Sequence, residues 1–223
     1  MASDKTILII GASRGIGLGL VEQFLAQGWQ VTATTRGTPV QNSSAHWLAL
    51  DITDPASQHY FIEQLADQRF AAIVINAGIY GPAEQRVDQA TDAQLNQLFL
   101  TNSFAPVRLA QRLLPYLASH SGVLAFTSSQ MASLTENPAA EMPLYAASKA
   151  ALNMLVRALH PAAQQAGITL LSLHPGWVQT DMGGEKAPVS VEQSSTGLKQ
   201  VIISAASKGG HHYLDYQGQT LEW

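Results

Sequence analysis

A chain of 223 residues that is 46% hydrophobic and 13% charged, with a net charge of −4, has the make-up of a compact globular protein with a sizeable core. It lacks a block of five or six like charges and an excess of basic residues, which excludes nucleic acid and anionic membrane as partners. Without cysteine there are no disulfides, thiol nucleophiles or thiolate metal sites.

The opening Met1-Ala2-Ser3-Asp4-Lys5 has no basic region followed by an apolar signal core. No apolar run approaches the roughly 18 residues of a membrane span, so a soluble, cytoplasmic protein is expected. Thr6 to Ile10 is a short run rich in β-branched residues and reads as a strand buried on both faces. Ile16 to Gln27 has helical spacing and Gly28 closes it. Strands are expected over Gln30 to Thr35 and His46 to Leu50, then a helix capped by Asp54 with Pro55 in its first position. Ala71 to Asn76 is another buried strand, and Thr91 to Leu117 reads as one long helix bent at Pro106. Gly122 to Thr127 is a strand and Leu144 to Leu159 a helix that Pro161 ends or kinks. Ile168 to His174 is the next strand. Ser190 with Gln193 forms a capping box opening a helix over Val191 to Ala206, and a short strand follows near Tyr213 or Thr220. This alternation predicts an α/β fold, a doubly wound parallel sheet with helices on both faces, in one domain spanning residues 1–223.

Between the first strand and first helix stands Gly11-Ala12-Ser13-Arg14-Gly15-Ile16-Gly17. Its glycines allow a tight turn and close backbone approach to a pyrophosphate, which then lies at the positive end of a helix. The second strand ends in Thr34-Thr35-Arg36 with no acid. A carboxylate there would receive the ribose 2′-hydroxyl of NAD, whereas arginine accommodates the 2′-phosphate of NADP. Arg36, with Arg14 as a second cation, therefore favours NADP(H) over NAD(H).

Tyr145 and Lys149 are four residues apart, so on a helix phenol and ammonium share a face. A free phenol has a pKa of about 10, and a nearby cation lowers it by favouring the phenolate. Such a tyrosine gives a proton to a carbonyl oxygen or takes one from an alcohol. Each feature alone has an ordinary structural explanation; their order along the chain is what is specific.

In that order the chain resembles the short-chain dehydrogenase/reductase family over nearly its whole length. The glycine turn matches the family's nucleotide motif. Asp51-Ile52 resembles its adenine contact and Asn76-Ala77-Gly78 its stretch beside the cofactor ribose. Asn102 falls where the family has a structural and catalytic asparagine, Ser128-Ser129 ends the fifth strand, and Tyr145/Lys149 is the YxxxK pair. Pro175-Gly176 is the turn after the sixth strand, with Val178 and Thr180 where the family meets the nicotinamide carboxamide and phosphates. The stretches around Ser148–Met154 and Trp177–Gly184, and the C-terminal residues, look most like the C-factor/sniffer branch of carbonyl reductases.

The resemblance implies NADP(H)-dependent reduction of a small carbonyl compound to an alcohol. Tyr145 would be the general acid, Lys149 would lower its pKa and hold the ribose, Ser129 would bind the carbonyl oxygen, and Asn102 would support Lys149. Ser128 is the alternative to Ser129. The family also forms homodimers or homotetramers through the helices carrying Asn102 and Tyr145. Two departures stand out: Ser129 and Tyr145 lie 16 positions apart, more than the family's usual separation, and the stretch from Gly184 to Val191 is short. The extra residues, Thr135 to Pro143, are expected to form a loop over the site. Trp177, Tyr80, Met131 and Met142 are candidates for an apolar pocket. A different class of function, an NADP(H)-binding redox-sensing or partner-binding module, would be marked by an incomplete set of catalytic residue types, and all four are present. His211-His212 has no acidic cluster around it, so no metal site is expected.

Overall fold

A computed structural model describes residues 5–41 and 43–223. Four of the five N-terminal residues considered above, Met1 to Asp4, lie outside these. Seven parallel strands form one sheet: β1 (Thr6–Ile10), β2 (Gln30–Thr35), β3 (His46–Ala49), β4 (Ala72–Ile75), β5 (Val123–Thr127), β6 (Thr169–His174) and β7 (His211–Asp215). Their order is β3-β2-β1-β4-β5-β6-β7, so the chain reverses direction across the sheet between β1 and β4, where Ile9 pairs with Val74. In open parallel sheets that switch point is where ligands bind, beyond the carboxyl ends of the strands. The expected α/β doubly wound sheet is the architecture observed.

Alternation along β1 explains why both faces are covered. Leu8 and Ile10 join a core with Phe61, Leu65, Leu109, Leu113, Leu152 and Val156, supplied by the helices α2 (Pro55–Leu65), α4 (Ala105–Leu113) and α5 (Pro143–Ala158). Ile7 and Ile9 face the other way, onto Leu20, Phe24, Leu198 and Ile202 of α1 (Gly15–Ala26) and α7 (Val191–Ser204). Each such fully buried side chain contributes about 1.5–3 kcal/mol through its removal from water.

Asp54 caps α2 through the Ala56 amide, and Ser190 with Gln193 forms the expected capping box on α7. A second box, Thr91 with Gln94, opens α3 (Asp92–Phe99). The long helix expected over Thr91 to Leu117 is instead divided. Leu100–Phe104 widens into a π-helical stretch between α3 and α4, and Leu114–Tyr116 tightens into a 3₁₀ turn. Pro106 has no N–H for the carbonyl four residues back, that of Asn102, and the Ala105 N–H reaches past Thr101 to Leu100. The distortion therefore precedes the proline instead of falling on it. Pro161 acts as expected: α5 stops at Ala158 and a short α6 (His160–Gln165) starts with the proline in its first turn. The last strand is β7, and Thr220 returns to form an antiparallel bridge with Leu214.

Candidate active site

The candidate residues gather at the carboxyl ends of β1, β4, β5 and β6, where the helices that follow begin. Gly11 takes a positive φ of 80° and donates its N–H to Thr34 Oγ1 at 3.0 Å. Its carbonyl accepts from Asn76 Nδ2 at 2.9 Å, and a side chain on Gly11 would strike the backbone of Ala77. A methyl group on Gly17 would lie 2.2 Å from the Gly11 carbonyl oxygen. The glycines thus bring the turn between β1 and α1 flush against Asn76-Ala77. Ser13 and Arg14 are exposed on the turn, while Ile16 packs half-buried against the core beneath. No side chain caps α1, so its first N–H groups point out of the turn as an anion site requires. This cradle fits a dinucleotide pyrophosphate.

At the far side of that turn, Arg36 stands exposed just after β2 and its charge helps to hold the Asp51 carboxyl below the usual range. The main cause of that lowering is the hydrogen bond from Thr53, whose hydroxyl and N–H both donate to Asp51 Oδ1, at 2.7 and 2.8 Å. Ile52 is buried, its carbonyl bonded to Gln58. Arg14, also exposed, pairs its guanidinium with Asp181 at 2.7 Å, reaching across to the loop after β6. Arg36 stands close enough to Asp51 for its charge to act on the carboxyl.

The helix α5 carries Tyr145 and Lys149 on one face. Its N-cap residue, Met142, offers no side-chain cap, and the Tyr145 N–H is instead bonded by Gln85 Oε1 at 2.9 Å. Lys149 is buried and its ammonium donates to the Thr127 carbonyl at 2.8 Å, 5.8 Å from the Tyr145 ring centre. Asn102, fully buried in the π-helical stretch, grips the Ile79 backbone with both ends of its amide at 2.8 Å and donates to Ser148 Oγ at 3.0 Å. Between them, a side chain on Gly78 would come within 3.3 Å of both Asn102 Oδ1 and Lys149 Nζ. The absence of a side chain there leaves the ammonium and the amide open to the same space.

The two serines face different ways. Ser128 is buried, its hydroxyl donating to Asn153 Oδ1 at 2.7 Å. Ser129 Oγ accepts the Met131 N–H at 3.2 Å, and its hydroxyl lies beside the Tyr145 phenol, where it favours the phenolate. Burial pushes the phenol up to about 12, with the Ser129 bond pulling the other way, and burial pushes the Lys149 ammonium down to about 8. The expectation that Lys149 lowers the phenol thus fails here. The ammonium is directed at Thr127, and desolvation of the phenolate is the larger effect on the half-buried Tyr145.

The loop after β6 is held in place by its own backbone. The Pro175 carbonyl takes the Ser194 hydroxyl at 2.6 Å, and Gly176 turns with a φ of 85° against the Tyr216 ring. Val178 is buried and forms an isolated parallel bridge with Val189, which ties the short stretch before α7 to the exit of β6. Thr180 Oγ1 accepts from the Gly183 N–H at 3.1 Å, and its methyl lies 3.2 Å from where a side chain on Gly15 would begin. The loop therefore closes on the glycine turn. Trp177 is largely exposed, its indole bonded to Gly183. The extra residues before Tyr145 are tied to Gln130 through Glu136 at 3.0 Å and to the Glu222 N–H at 3.4 Å. Tyr80 stacks on Tyr145 with ring centres 6.2 Å apart.

Sequence reasoning passed over Gln85, Ser148, Asn153 and Tyr213, all of which hold the candidate residues. Only Asn153 carried a readable signal, recurring four residues after Lys149 on the same helix. Of the paired histidines, His211 meets Ser172 and His212 the Gly209 carbonyl. Among the described residues no three metal-ligating side chains gather, and no helix is long and apolar enough to cross a membrane.

Residues 5–191 match the family model of the short chain dehydrogenases, and the chain belongs to that family. It is similar over nearly its full length to a carbonyl reductase from Pseudomonas aeruginosa PAO1 solved in complex with NADP. The two are 44% identical, with a TM-score of 0.89 and coverage of 99% of this chain and 100% of that one. The carbonyl reductase Sniffer of D. melanogaster is 29% identical with the same TM-score, covering 98% and 99%. Among curated proteins, C-signal of Myxococcus xanthus is 36% identical over 156 residues, 68% of this chain and 91% of its own length.

Proposed function

We propose that the protein is an NADP(H)-dependent reductase of small carbonyl compounds. The observation that carries the reading is the grouping of buried Ser129, Lys149 and Asn102 with the half-buried Tyr145, Lys149 and Asn102 both facing Gly78 beside the glycine turn. The NADP held by the Pseudomonas enzyme supports the choice of cofactor, as does Arg36 after an acid-free strand end.

Gly11 to Gly17 and the start of α1 would receive the pyrophosphate, Asp51-Ile52 the adenine, Asn76-Ala77-Gly78 the ribose, and Pro175 to Thr180 the nicotinamide end. Bound there, reduced nicotinamide supplies the hydride. Ser129 turns its hydroxyl proton from the phenol to the substrate oxygen, where negative charge develops. Tyr145 donates its proton to that oxygen as general acid. Lys149 opposes the resulting phenolate with its positive charge, and Asn102 keeps the backbone around Ile79 and Ser148 fixed beneath it.

The test is NADPH oxidation, followed by absorbance, over a panel of aldehydes, diketones and quinones with NADH in parallel. Wild-type turnover that prefers NADPH, and its loss in Tyr145→Phe with NADPH binding retained, is the expected result. Retained turnover in that variant refutes the role of Tyr145. Binding without turnover on any carbonyl would point to a redox-sensing or partner-binding module.

A further inference from the structure

Tyr145, Lys149, Asn153 and Arg157 recur every fourth residue along α5 and so form one row. The first two belong to the proposed chemistry; the other two lead to the C-terminal end of the chain. Asn153 holds the Ser128 hydroxyl at 2.7 Å, and its amide lies near enough to the phenol of Tyr213 to favour the charged form. Arg157 lies over the ring of Trp223 at 4.3 Å. Trp223 in turn stacks on Tyr213, ring centres 5.0 Å apart and planes 30° apart. Tyr213 is among the largest fully buried side chains, and its hydroxyl donates to the backbone carbonyl of Ser129. A buried hydroxyl is costly without a partner, and a phenylalanine would fill the same volume, so the partner is the informative part.

We propose that Tyr213, braced by Trp223, is a positioning residue that fixes the Ser128-Ser129 turn so that the Ser129 hydroxyl faces the reacting oxygen. The role rests on the reductase reading above. Ser129 is held from three directions: its carbonyl by Tyr213, its side chain by the Met131 N–H, and its neighbour Ser128 by Asn153 and by the Leu173 carbonyl at 2.7 Å. Releasing the carbonyl lets the peptide rotate and swings the Ser129 side chain with it. A displacement of about 1 Å at a reacting group costs on the order of a hundredfold in rate, and a partial release less.

The test compares wild type, Tyr213→Phe and Trp223→Ala in steady-state reduction of a carbonyl accepted by the wild type, with NADPH binding measured by fluorescence. Tyr213→Phe should lower kcat about tenfold or more while the KM for carbonyl and the Kd for NADPH stay within about threefold. Trp223→Ala should lower kcat in the same direction by less, and carries the test should Tyr213→Phe not fold. A merely structural role would weaken NADPH binding and thermal stability without this selective fall in kcat. An unchanged kcat in a folded variant, or a loss that appears in KM alone, overturns the proposal. Absence of turnover in the wild type refutes the reductase reading itself and the positioning role with it.

Discussion

Lys149 is a charge the fold would be more stable without, and replacing it with methionine separates stability from function. Its ammonium is buried and titrates at about 8 against an ordinary value of 10.5. A fall of that size corresponds to about 3 kcal/mol of preference for the unfolded state, where the charge is solvated. The sign follows from the protons bound. Below pH 8 both states hold the proton and the cost is present in full. Between pH 8 and 10.5 the unfolded state holds more protons than the folded one, so stability rises with pH. Above pH 10.5 the cost is gone.

Methionine keeps the unbranched length without the charge but leaves the Thr127 carbonyl without its donor at 2.8 Å. That unpaired acceptor costs about 1–3 kcal/mol. Lys149→Met should therefore be as stable as the wild type or up to about 2 kcal/mol more stable at pH 7, while carbonyl reduction is lost. Urea unfolding of both proteins at pH 7 and near pH 10 checks this. The wild type should gain on the variant by about 2–3 kcal/mol over that interval. A difference that stays constant with pH refutes the desolvation argument.

Other substitutions probe the cofactor cradle. Gly17→Ala places a methyl 2.2 Å from the Gly11 carbonyl oxygen and 2.8 Å from Asn76 Nδ2. It should cost about 1–3 kcal/mol in urea unfolding and weaken NADPH in a fluorescence titration by at least about tenfold. Arg36→Ala should reduce the ratio of kcat/KM for NADPH to that for NADH by about tenfold or more, as loss of a charge-assisted bond to a 2′-phosphate would. Arg14→Ala should change that ratio less, because Arg14 is paired with Asp181. Since that pair is largely exposed, Asp181→Asn should leave unfolding stability within about 1 kcal/mol.

The strands were legible because a parallel sheet covered on both faces demands short apolar runs, and glycine, proline or a capping residue marks their ends. Asp54 and Ser190 announced their helices correctly for the same local reason. The division of the long helix was half legible. Pro106 predicted a distortion, but not that it would widen around Asn102, whose amide meets Ile79, 23 residues away. What the sequence hid was bonding between distant residues: Gln85 capping the helix of Tyr145 from 60 residues away, and Tyr213 reaching back 84 residues to Ser129. Nothing in the local pattern of either residue distinguishes it from an ordinary loop glutamine or core tyrosine. The pairing of Arg14 with Asp181, 167 residues apart, was hidden in the same way.

Which effect controls the Tyr145 phenol decides how the rate depends on pH. If the cation at i+4 governed, the phenolate would form near neutrality. Alcohol oxidation, in which the phenolate is the base, would then level off by about pH 8. Burial instead holds the phenol at about 12, against the opposing bond from Ser129. The acid form then persists throughout the neutral range, and reduction should show no alkaline fall from Tyr145 between about pH 6 and about pH 9. Oxidation should climb by about tenfold per pH unit at first, because each unit raises the small phenolate fraction tenfold. The kcat for oxidation of the alcohol product with NADP, measured across that range, distinguishes the two cases. A plateau by pH 8 would mean that the charge of Lys149 outweighs desolvation, and the enclosed site would then be a weaker barrier to the phenolate than its burial implies.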